Sequence, residues 1–289
     1  MRYEVADTLE GASSLLAGEP GKSYVLAGGT DLLVQLRAGM VAPDLIVDIK
    51  RLDETRTITE SDGGYRIGAA VAGAELGENA AVCADWPGVT EGAELIGSTQ
   101  VQGRASMGGN LCNASPAADA VPALIAADAT VTIIGPDGTR EAAVADIPTG
   151  PGSNSLAKGE FVATINLPPL AANSADAYLR MIPRTEMDIA IAGAAANITL
   201  DDDGTVTAAK IVLGAVAPTA IEAPEAAAAL VGTKADDDAL AAVQAAASAA
   251  AKPISDKRGT AEYRTQVVGV LAKRAAKIAY DRAADRGGK

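Results

Sequence analysis

Two pairs of adjacent glycines, Gly28-Gly29 and Gly108-Gly109, have neighbours that suit the binding of an anion. Each pair has a hydroxyl side chain close by, Thr30 in the first segment and Ser106 in the second. Because glycine has no Cβ, successive backbone N–H groups can approach a phosphate closely, and the start of a helix adds partial positive charge. The two segments together predict a diphosphate site. The alternative is two unrelated tight turns in a chain with 30 glycines.

The spacing of apolar residues predicts the elements that position these glycines. A strand at 24–27 leads into the first pair, a helix follows at 32–37, and a strand covers 44–49. The second pair lies in a predicted loop at 98–115, between helices at 88–98 and 118–126. The other predicted elements are a helix at 9–16, a hairpin at 57–72, strands at 130–134, 189–200 and 209–216, and helices at 236–251 and 260–282. A break at 167–174 predicts two domains, 1–174 and 175–289, the second a smaller α+β domain.

The composition excludes several kinds of site. A formal net charge of −13 disfavours binding to nucleic acid or anionic membranes, and 3% aromatic residues leave few platforms for stacked bases. The chain has no histidine, which excludes a Ser-His-Asp triad and a histidine-ligated metal. Two cysteines, Cys83 and Cys112, are too few for an iron–sulfur cluster or a disulfide framework. We expect a cytoplasmic protein without a signal peptide or membrane span.

Other ligand-binding motifs fail for specific reasons. Residues 18–23 end like a P-loop, but the first glycine of that motif would fall at Leu16. No strand is followed by G-x-G-x-x-G, which excludes a Rossmann dinucleotide site. The acidic run at 201–203 lacks the spaced ligands of a calcium loop, and we interpret it as a solvated turn.

Four stretches of the chain occur in the order found in one known family. Leu26 to Leu33, followed by Arg37-Ala38-Gly39, is similar to a first flavin loop, and Ile96 to Asp119 is similar to the second loop nearly position by position. Residues 184–190 match an R-x-x-x-D-x-A pattern, and residues 257–264 are close to a C-terminal signature. In these stretches the chain resembles the FAD-binding medium subunits of the xanthine dehydrogenase and carbon monoxide dehydrogenase family.

The resemblance implies a fold and a set of cofactor contacts. The fold is α+β, with a vanillyl-alcohol-oxidase (PCMH)-type FAD-binding domain of two α/β subdomains and a smaller α+β C-terminal domain. At Arg180 the family usually has lysine, which keeps the charge and changes the reach. Arg184 and Asp188 fit a structural ion pair and a flavin contact equally well. The implied FAD-binding residues are Leu26, Ala27, Gly28, Gly29, Thr30, Asp31, Leu32, Ile96, Gly97, Ser106, Met107, Gly108, Gly109, Asn110, Ser115, Asp119, Val162 and Arg180.

The implied function is electron transfer in a molybdenum hydroxylase. Such an enzyme has a large subunit with the molybdopterin cofactor and a small subunit with two [2Fe-2S] clusters, and we expect a dimer of heterotrimers. The medium subunit carries electrons through FAD to NAD, a quinone or oxygen, and no residue of this chain is expected to act as an acid or base. Substrate choice belongs to the large subunit. Alternatives are a self-sufficient flavin oxidase or reductase, and an assembly subunit without flavin.

The second glycine segment gives a direct test of the cofactor site. We expect Gly108→Val to place branched bulk where a phosphate must approach. The variant should then lose FAD without unfolding.

Overall fold

The amino-terminal part of the chain folds around a small parallel sheet. In this computed structural model, which describes residues 1–185 and 187–287, its elements are β1 (Arg2–Val5), α1 (Leu9–Gly18), β2 (Ser23–Leu26), α2 (Leu32–Arg37) and β3 (Leu45–Asp48). The strands lie in the order β1-β3-β2, all parallel, and β3 is buried throughout. The carboxyl end of β2 delivers the chain to Gly28-Gly29, at the edge of a parallel sheet where ligands commonly bind.

The second subdomain is an antiparallel sheet covered by helices. Its elements are α3 (Asp53–Arg56), β4 (Ile58–Ser61), β5 (Gly64–Gly68), α4 (Gly73–Gly77), α5 (Ala80–Asp85), α6 (Pro87–Glu94), α7 (Thr99–Gln102), α8 (Met107–Asn113), α9 (Ala120–Ala126), β6 (Thr130–Gly135), β7 (Gly138–Ala143), a 3₁₀ turn (Val144–Asp146), β8 (Pro148–Gly150), β9 (Ser153–Asn154) and β10 (Phe161–Leu167). The main sheet has the order β4-β5-β10-β6-β7. Strand β10 lies at its centre and is almost wholly buried, so the residues just before it are carried against the glycine segments.

The C-terminal domain packs one long helix on an antiparallel sheet. Its elements are β11 (Ser174–Met181), β12 (Ala192–Leu200), β13 (Val206–Gly214), β14 (Ile221–Glu222), α10 (Pro224–Ala228), α11 (Asp237–Ala250) and α12 (Ala261–Gly287), with the strands in that order. Small residues meet in its core, with Ala194 and Ala196 of β12 and Ala275 and Ala279 of α12 fully buried. Alanine on both sides lets a helix approach a sheet closely, which explains how so few aromatic residues suffice.

Charged side chains join the two domains. The Asp176 carboxylate on β11 accepts hydrogen bonds from the first amides of α6, Gly88 N at 2.8 Å and Val89 N at 2.9 Å. Burial raises the pKa of Asp176 to about 7, against the lowering effect of these two amides. Glu91 of α6 accepts from the Tyr178 amide and pairs with Arg282 of α12. The last turns of α12 therefore fix the C-terminal domain to the second subdomain.

Most predicted elements are present, with shifted ends and one wrong assignment. The hairpin, both C-terminal helices and the turn at 201–204 are confirmed, and in the turn Asp201 Oδ1 accepts the amides of Asp203 and Thr205. The prediction of a loop at 98–115 is wrong, because α7 and α8 lie within it. The helix predicted to reach residue 98 ends at Glu94. Strands β1, β7 to β11 and β14, and helices α3 to α5 and α10, were not predicted. Among the described residues, no helix is both long and apolar enough to cross a lipid bilayer.

Candidate functional site

A cleft of about 610 Å³ lies between the first and second subdomains. It has the size of a small-molecule or cofactor site. Most of its wall is made by three stretches of chain: residues 27–32, residues 105–113 and residues 152–162. Both predicted glycine segments therefore face one space. The predicted site residues that line it are Ala27, Gly28, Gly29, Thr30, Asp31, Leu32, Ile96, Ser106, Gly108, Gly109, Asn110 and Val162.

The first glycine segment is an open loop between β2 and α2. A Cβ on Gly28 would overlap the carbonyl oxygen of Arg104, so this glycine lets two stretches of main chain lie against each other. Gly29 has a φ of +80°, a conformation that side chains with a Cβ rarely adopt. The two glycines thus serve different ends: Gly28 permits close packing, and Gly29 sets the path of the loop.

The first segment offers a row of amide donors to the cleft. Across the described residues, no main-chain or side-chain oxygen accepts a hydrogen bond from the amides of residues 28–32. Unpaired donors at the start of a helix attract an anion. Asp31 lies in the same wall, and burial raises the pKa of its carboxyl group. The loop as a whole presents neutral donors, as an anion site on an acidic protein requires.

The second glycine segment is the first turn of helix α8. Ser106 is its N-cap, and the Ser106 Oγ accepts the Gly109 amide at 3.1 Å. A Cβ on Gly108 would stand 2.5 Å from the carbonyl oxygen of Ala69. Gly108 is thus buried against the main chain after β5, and Gly108→Val would disturb packing whether or not a cofactor is bound. The structure therefore leads us to expect that this variant loses stability as well as FAD.

Asn110 connects the second segment to the next helix. Its side-chain oxygen accepts the Ala120 amide at 3.2 Å at the start of α9, which leaves the side-chain NH2 group as its donor toward the cleft. A further bond joins the two glycine segments, from Gln35 Nε2 of α2 to Asn113 Oδ1 of α8 at 3.0 Å. Both Gln35 and Asn113 also line the cleft and were not predicted from the sequence.

The third wall, residues 152–162, was missed by sequence reasoning apart from Val162. Asn154 donates to the Cys112 carbonyl at 2.9 Å, which holds this wall to the end of α8. Cys112 also lines the cleft, and burial raises the pKa of its thiol to about 12, so it stays protonated. No glycine motif or ligand pattern marks this stretch. Its place follows from the pairing of β10 with β5 and β6.

Six predicted site residues lie outside the cleft wall. Leu26 ends β2, and Met107 is buried in the core of the second subdomain. Gly97, with a φ of +69°, lies beside Val101, while Ser115 Oγ accepts the Ala117 amide at 3.2 Å. The remaining two, Asp119 and Arg180, contact each other. Direct contacts of these six with a cofactor stay predictions.

Asp119 and Arg180 form a buried pair across the domain junction. Arg180 Nη1 lies 2.5 Å from Asp119 Oδ2, and Tyr178 donates to Asp119 Oδ1 at 3.0 Å. Burial raises the pKa of Asp119 to about 6, because it outweighs the lowering by Arg180 and by the two hydrogen bonds. The guanidinium at this position, where lysine was the family's usual residue, thus binds a carboxylate of the other domain.

Arg184 and Asp188 are held in an ion-pair chain of the C-terminal domain. Arg184 Nε lies 3.1 Å from Asp188 Oδ2, and Arg258 Nε lies 3.4 Å from Asp188 Oδ1. Asp256 then pairs with both Arg258 and Arg264. Of the two alternatives for Arg184 and Asp188, a structural ion pair or a flavin contact, the geometry matches the ion pair. Neither Arg184 nor Asp188 lines the cleft.

Comparisons with known proteins cover the entire site. Residues 1–170 match the family described as the FAD binding domain in molybdopterin dehydrogenase, and residues 177–279 match the CO dehydrogenase flavoprotein C-terminal domain. The chain belongs to this family of molybdenum hydroxylase flavoprotein subunits. The predicted family and fold class are thereby confirmed, as is the expectation that the chain is an oxidoreductase subunit.

The relatives resemble this flavoprotein over nearly its full length. The 6-hydroxypseudooxynicotine dehydrogenase complex subunit alpha of Paenarthrobacter nicotinovorans is 32% identical, covering 97% of this chain and 95% of that protein. The putative xanthine dehydrogenase FAD-binding subunit of Escherichia coli is 32% identical, with coverages of 99% and 97%. A carbon monoxide dehydrogenase from Hydrogenophaga pseudoflava, lacking the Mo-pyranopterin moiety of its molybdenum cofactor, has a chain with a TM-score of 0.92 and 33% identity, each chain covered to 98%.

The cleft fits the cofactor that defines the family. FAD has an anionic diphosphate between two largely neutral halves, and the amides of residues 28–32 form a row of donors in the cleft wall. The wall also contains apolar residues, Val25 and Phe161 among them. FAD is the cofactor of this flavoprotein.

Proposed function

We propose that this flavoprotein is the electron-transfer subunit of a molybdenum hydroxylase. In the complex a large subunit carries the molybdopterin cofactor and a small subunit carries two [2Fe-2S] clusters. Bound FAD takes electrons from those clusters and delivers them to NAD, a quinone or oxygen. The residues of this chain bind the cofactor, orient it and exclude water from it. The assembly we propose is a cytoplasmic dimer of heterotrimers.

The observation that carries this proposal is the donor row facing the cleft. Amides of residues 28–32 without internal acceptors suit a diphosphate, and Thr30 and Asn110 add side-chain donors from the two glycine segments. We propose that the lining residues of both segments, together with Ile96 and Val162, contact FAD. The buried pair of Asp119 and Arg180 lies outside the cleft wall and supports the site indirectly, because it fixes the start of α9.

The side chains of this subunit support the proposal that iron–sulfur clusters are bound by a partner subunit. Among the described residues, no three histidine, cysteine, aspartate or glutamate side chains are grouped so that they could hold a metal ion. The two cysteines are also free and do not form a pair. In this proposal the iron–sulfur clusters, which need several thiolate ligands, therefore belong on another chain, and electrons reach this subunit across an interface.

The assembly is tested by purifying the complex through an affinity tag on this chain. We expect two further subunits, one with molybdopterin and one with the electron paramagnetic resonance signals of [2Fe-2S] clusters, and one FAD per copy of this chain. Light scattering would give the mass of a dimer of heterotrimers. A chain that purifies alone and oxidises an organic substrate would instead establish the self-sufficient oxidase.

The electron route is tested by removing FAD from the intact complex. We expect the depleted complex to keep the reduction of artificial dyes at its metal centres and to lose the reduction of NAD, quinone and oxygen. Re-added FAD should restore the lost reaction. If physiological acceptors are still reduced at the native rate without FAD, the proposed route is wrong.

A further inference from the structure

A tight turn at residues 157–160 presents one lysine to the cleft. The Ala157 carbonyl accepts the Glu160 amide at 2.9 Å, and Gly159 at the third position has a φ of +89°. This is the arrangement of a type II turn, in which the third residue must tolerate positive φ. Lys158 therefore stands at the second position, exposed at the rim of the cleft that it helps to line.

The turn is fixed by the protein itself. Arg140 binds the Glu160 carboxylate with two hydrogen bonds, Nε to Oε1 at 2.6 Å and Nη2 to Oε2 at 2.7 Å. The same Oε2 accepts the Ala157 amide at 2.8 Å, which closes the turn from its other end. A Cβ on Gly159 would meet Ala17 and Pro136, so this side of the turn is packed. The backbone that carries Lys158 is thus in place before any ligand binds.

The Lys158 ammonium is the one basic side chain in the cleft wall, counted over the residues that the structure describes. Within that same part of the chain, no carboxylate lies within 4.0 Å of it. Its acidic neighbours have other cations, since Glu160 pairs with Arg140 and Glu19 pairs with Arg2. A lysine at a cleft of a protein with net charge −13, with no described carboxylate within 4.0 Å of its ammonium, indicates an anionic ligand.

We propose that Lys158 is a cofactor-binding residue whose ammonium pairs with the diphosphate of FAD. The inference rests on the proposed FAD site, because the diphosphate is the anionic part of the cofactor. Neutral amides of residues 28–32 orient the phosphates, and Lys158 supplies the charge that those donors lack.

The test uses the intact complex after removal of FAD, with re-added FAD followed by flavin fluorescence. Lys158→Met keeps the apolar stem and removes the charge, Lys158→Arg keeps the charge, and Lys234→Met is the control at an exposed lysine of the C-terminal domain. We expect Lys158→Met to raise the dissociation constant of FAD by roughly fivefold, the effect of one partly exposed charge pair. The dependence of that constant on salt should become shallower.

The outcomes separate this inference from the FAD site itself. Lys158→Arg and Lys234→Met should bind FAD with the native affinity and salt dependence. A Lys158→Met protein with native affinity and native salt dependence would overturn the role of Lys158 and leave the site intact. A Lys158→Met protein that binds FAD more weakly but with the native salt dependence would also overturn the role of Lys158, because the lost contact would not be ionic. Failure of the native complex to bind FAD would instead remove the proposed function.

Discussion

The two glycine segments look alike in sequence and differ in structure. Gly28-Gly29 lies in an open loop, and its amides and those of the next residues have no acceptor among the described residues. Gly108-Gly109 lies inside helix α8, where the Ser106 hydroxyl already takes the Gly109 amide. The same dipeptide thus supplies free donors in one place and a capped helix end in the other. In the proposed site the first segment therefore supplies most of the main-chain donors, and the second forms the wall beside them and adds Asn110.

The segments also differ in how they are anchored. The second is buried against Ala69 and tied through Asn110 to α9, which begins at the buried pair of Asp119 and Arg180. The first leads into α2, none of whose residues is buried, and Gln35 makes the side-chain bond that holds α2 to α8. Substitutions should therefore separate cofactor binding from stability in the first segment more cleanly than in the second.

The largest effect should come from Gly28→Ala. The added methyl group would overlap the carbonyl oxygen of Arg104, and the main chain would have to move. We expect the free energy of unfolding in denaturant to fall by about 3 kcal/mol and FAD to be lost. Gly18→Ala is the control, because nothing lies within 4 Å of its Cβ position. Native stability of Gly28→Ala would show that this close approach is absent in solution.

The buried pair of Asp119 and Arg180, which anchors the second segment, should make the free energy of unfolding depend on pH. Folding raises the pKa of Asp119 from 3.8 to about 6, so the folded protein holds a proton that the unfolded chain has released between those values. The stabilisation from this group is therefore full below pH 3.8 and lost as pH rises through about 6. The loss should amount to about 3 kcal/mol.

The double variant Asp119→Asn, Arg180→Met checks this dependence, because it removes both charges of the pair. Urea unfolding at several pH values should give a flatter profile than the native chain. An unchanged profile between pH 4 and pH 6 would assign the dependence to another group, Asp176 first.

Gly29→Ala should separate backbone strain from cofactor binding. Positive φ at an alanine costs about 1 kcal/mol, and a shifted loop would misalign the amide donors. Gly39→Ala is a matched control, since Gly39 has a φ of +68° and open space around its Cβ position. Gly29→Ala should lose more stability than Gly39→Ala, because its Cβ would also lie 2.9 Å from Leu26 Cδ1, and Gly29→Ala alone should bind FAD more weakly. Equal FAD affinity in the two variants would contradict the anion role of the first segment.

The smallest effect should come from the cap of α8. Ser106→Ala removes the acceptor of the Gly109 amide and should lower the free energy of unfolding by about 1 kcal/mol. Asp236→Ala removes the equivalent cap of α11, far from the cleft. Thermal unfolding should show similar losses for both, while FAD affinity falls only for Ser106→Ala. A Ser106→Ala protein with native FAD affinity would restrict this serine to a structural role.

Local patterns predicted the first segment well and the second only in part. Residues 24–37 follow strand, glycine turn and helix spacing, and the structure has β2 and α2 there. In the second segment, the low helix propensity of two glycines led to the prediction of a loop. Tertiary packing overrides that propensity, and the structure has helix α8 there, with Ser106 as its N-cap. Lys158 and the third wall had no local signal. Their place depends on β10 joining strands far away in sequence, which one sequence does not specify.

Helix α2 has a practical consequence for handling the protein. Leu33 and Val34 in α2 and Met40 just after it are 54%, 63% and 74% exposed, next to the loop that we propose holds the diphosphate. A solvent-facing apolar segment that is secured by so few bonds opens locally at little cost. Proteases that cleave after leucine or methionine will therefore nick the chain here first. The rate of that cut will report directly on how firmly the neighbouring loop is held.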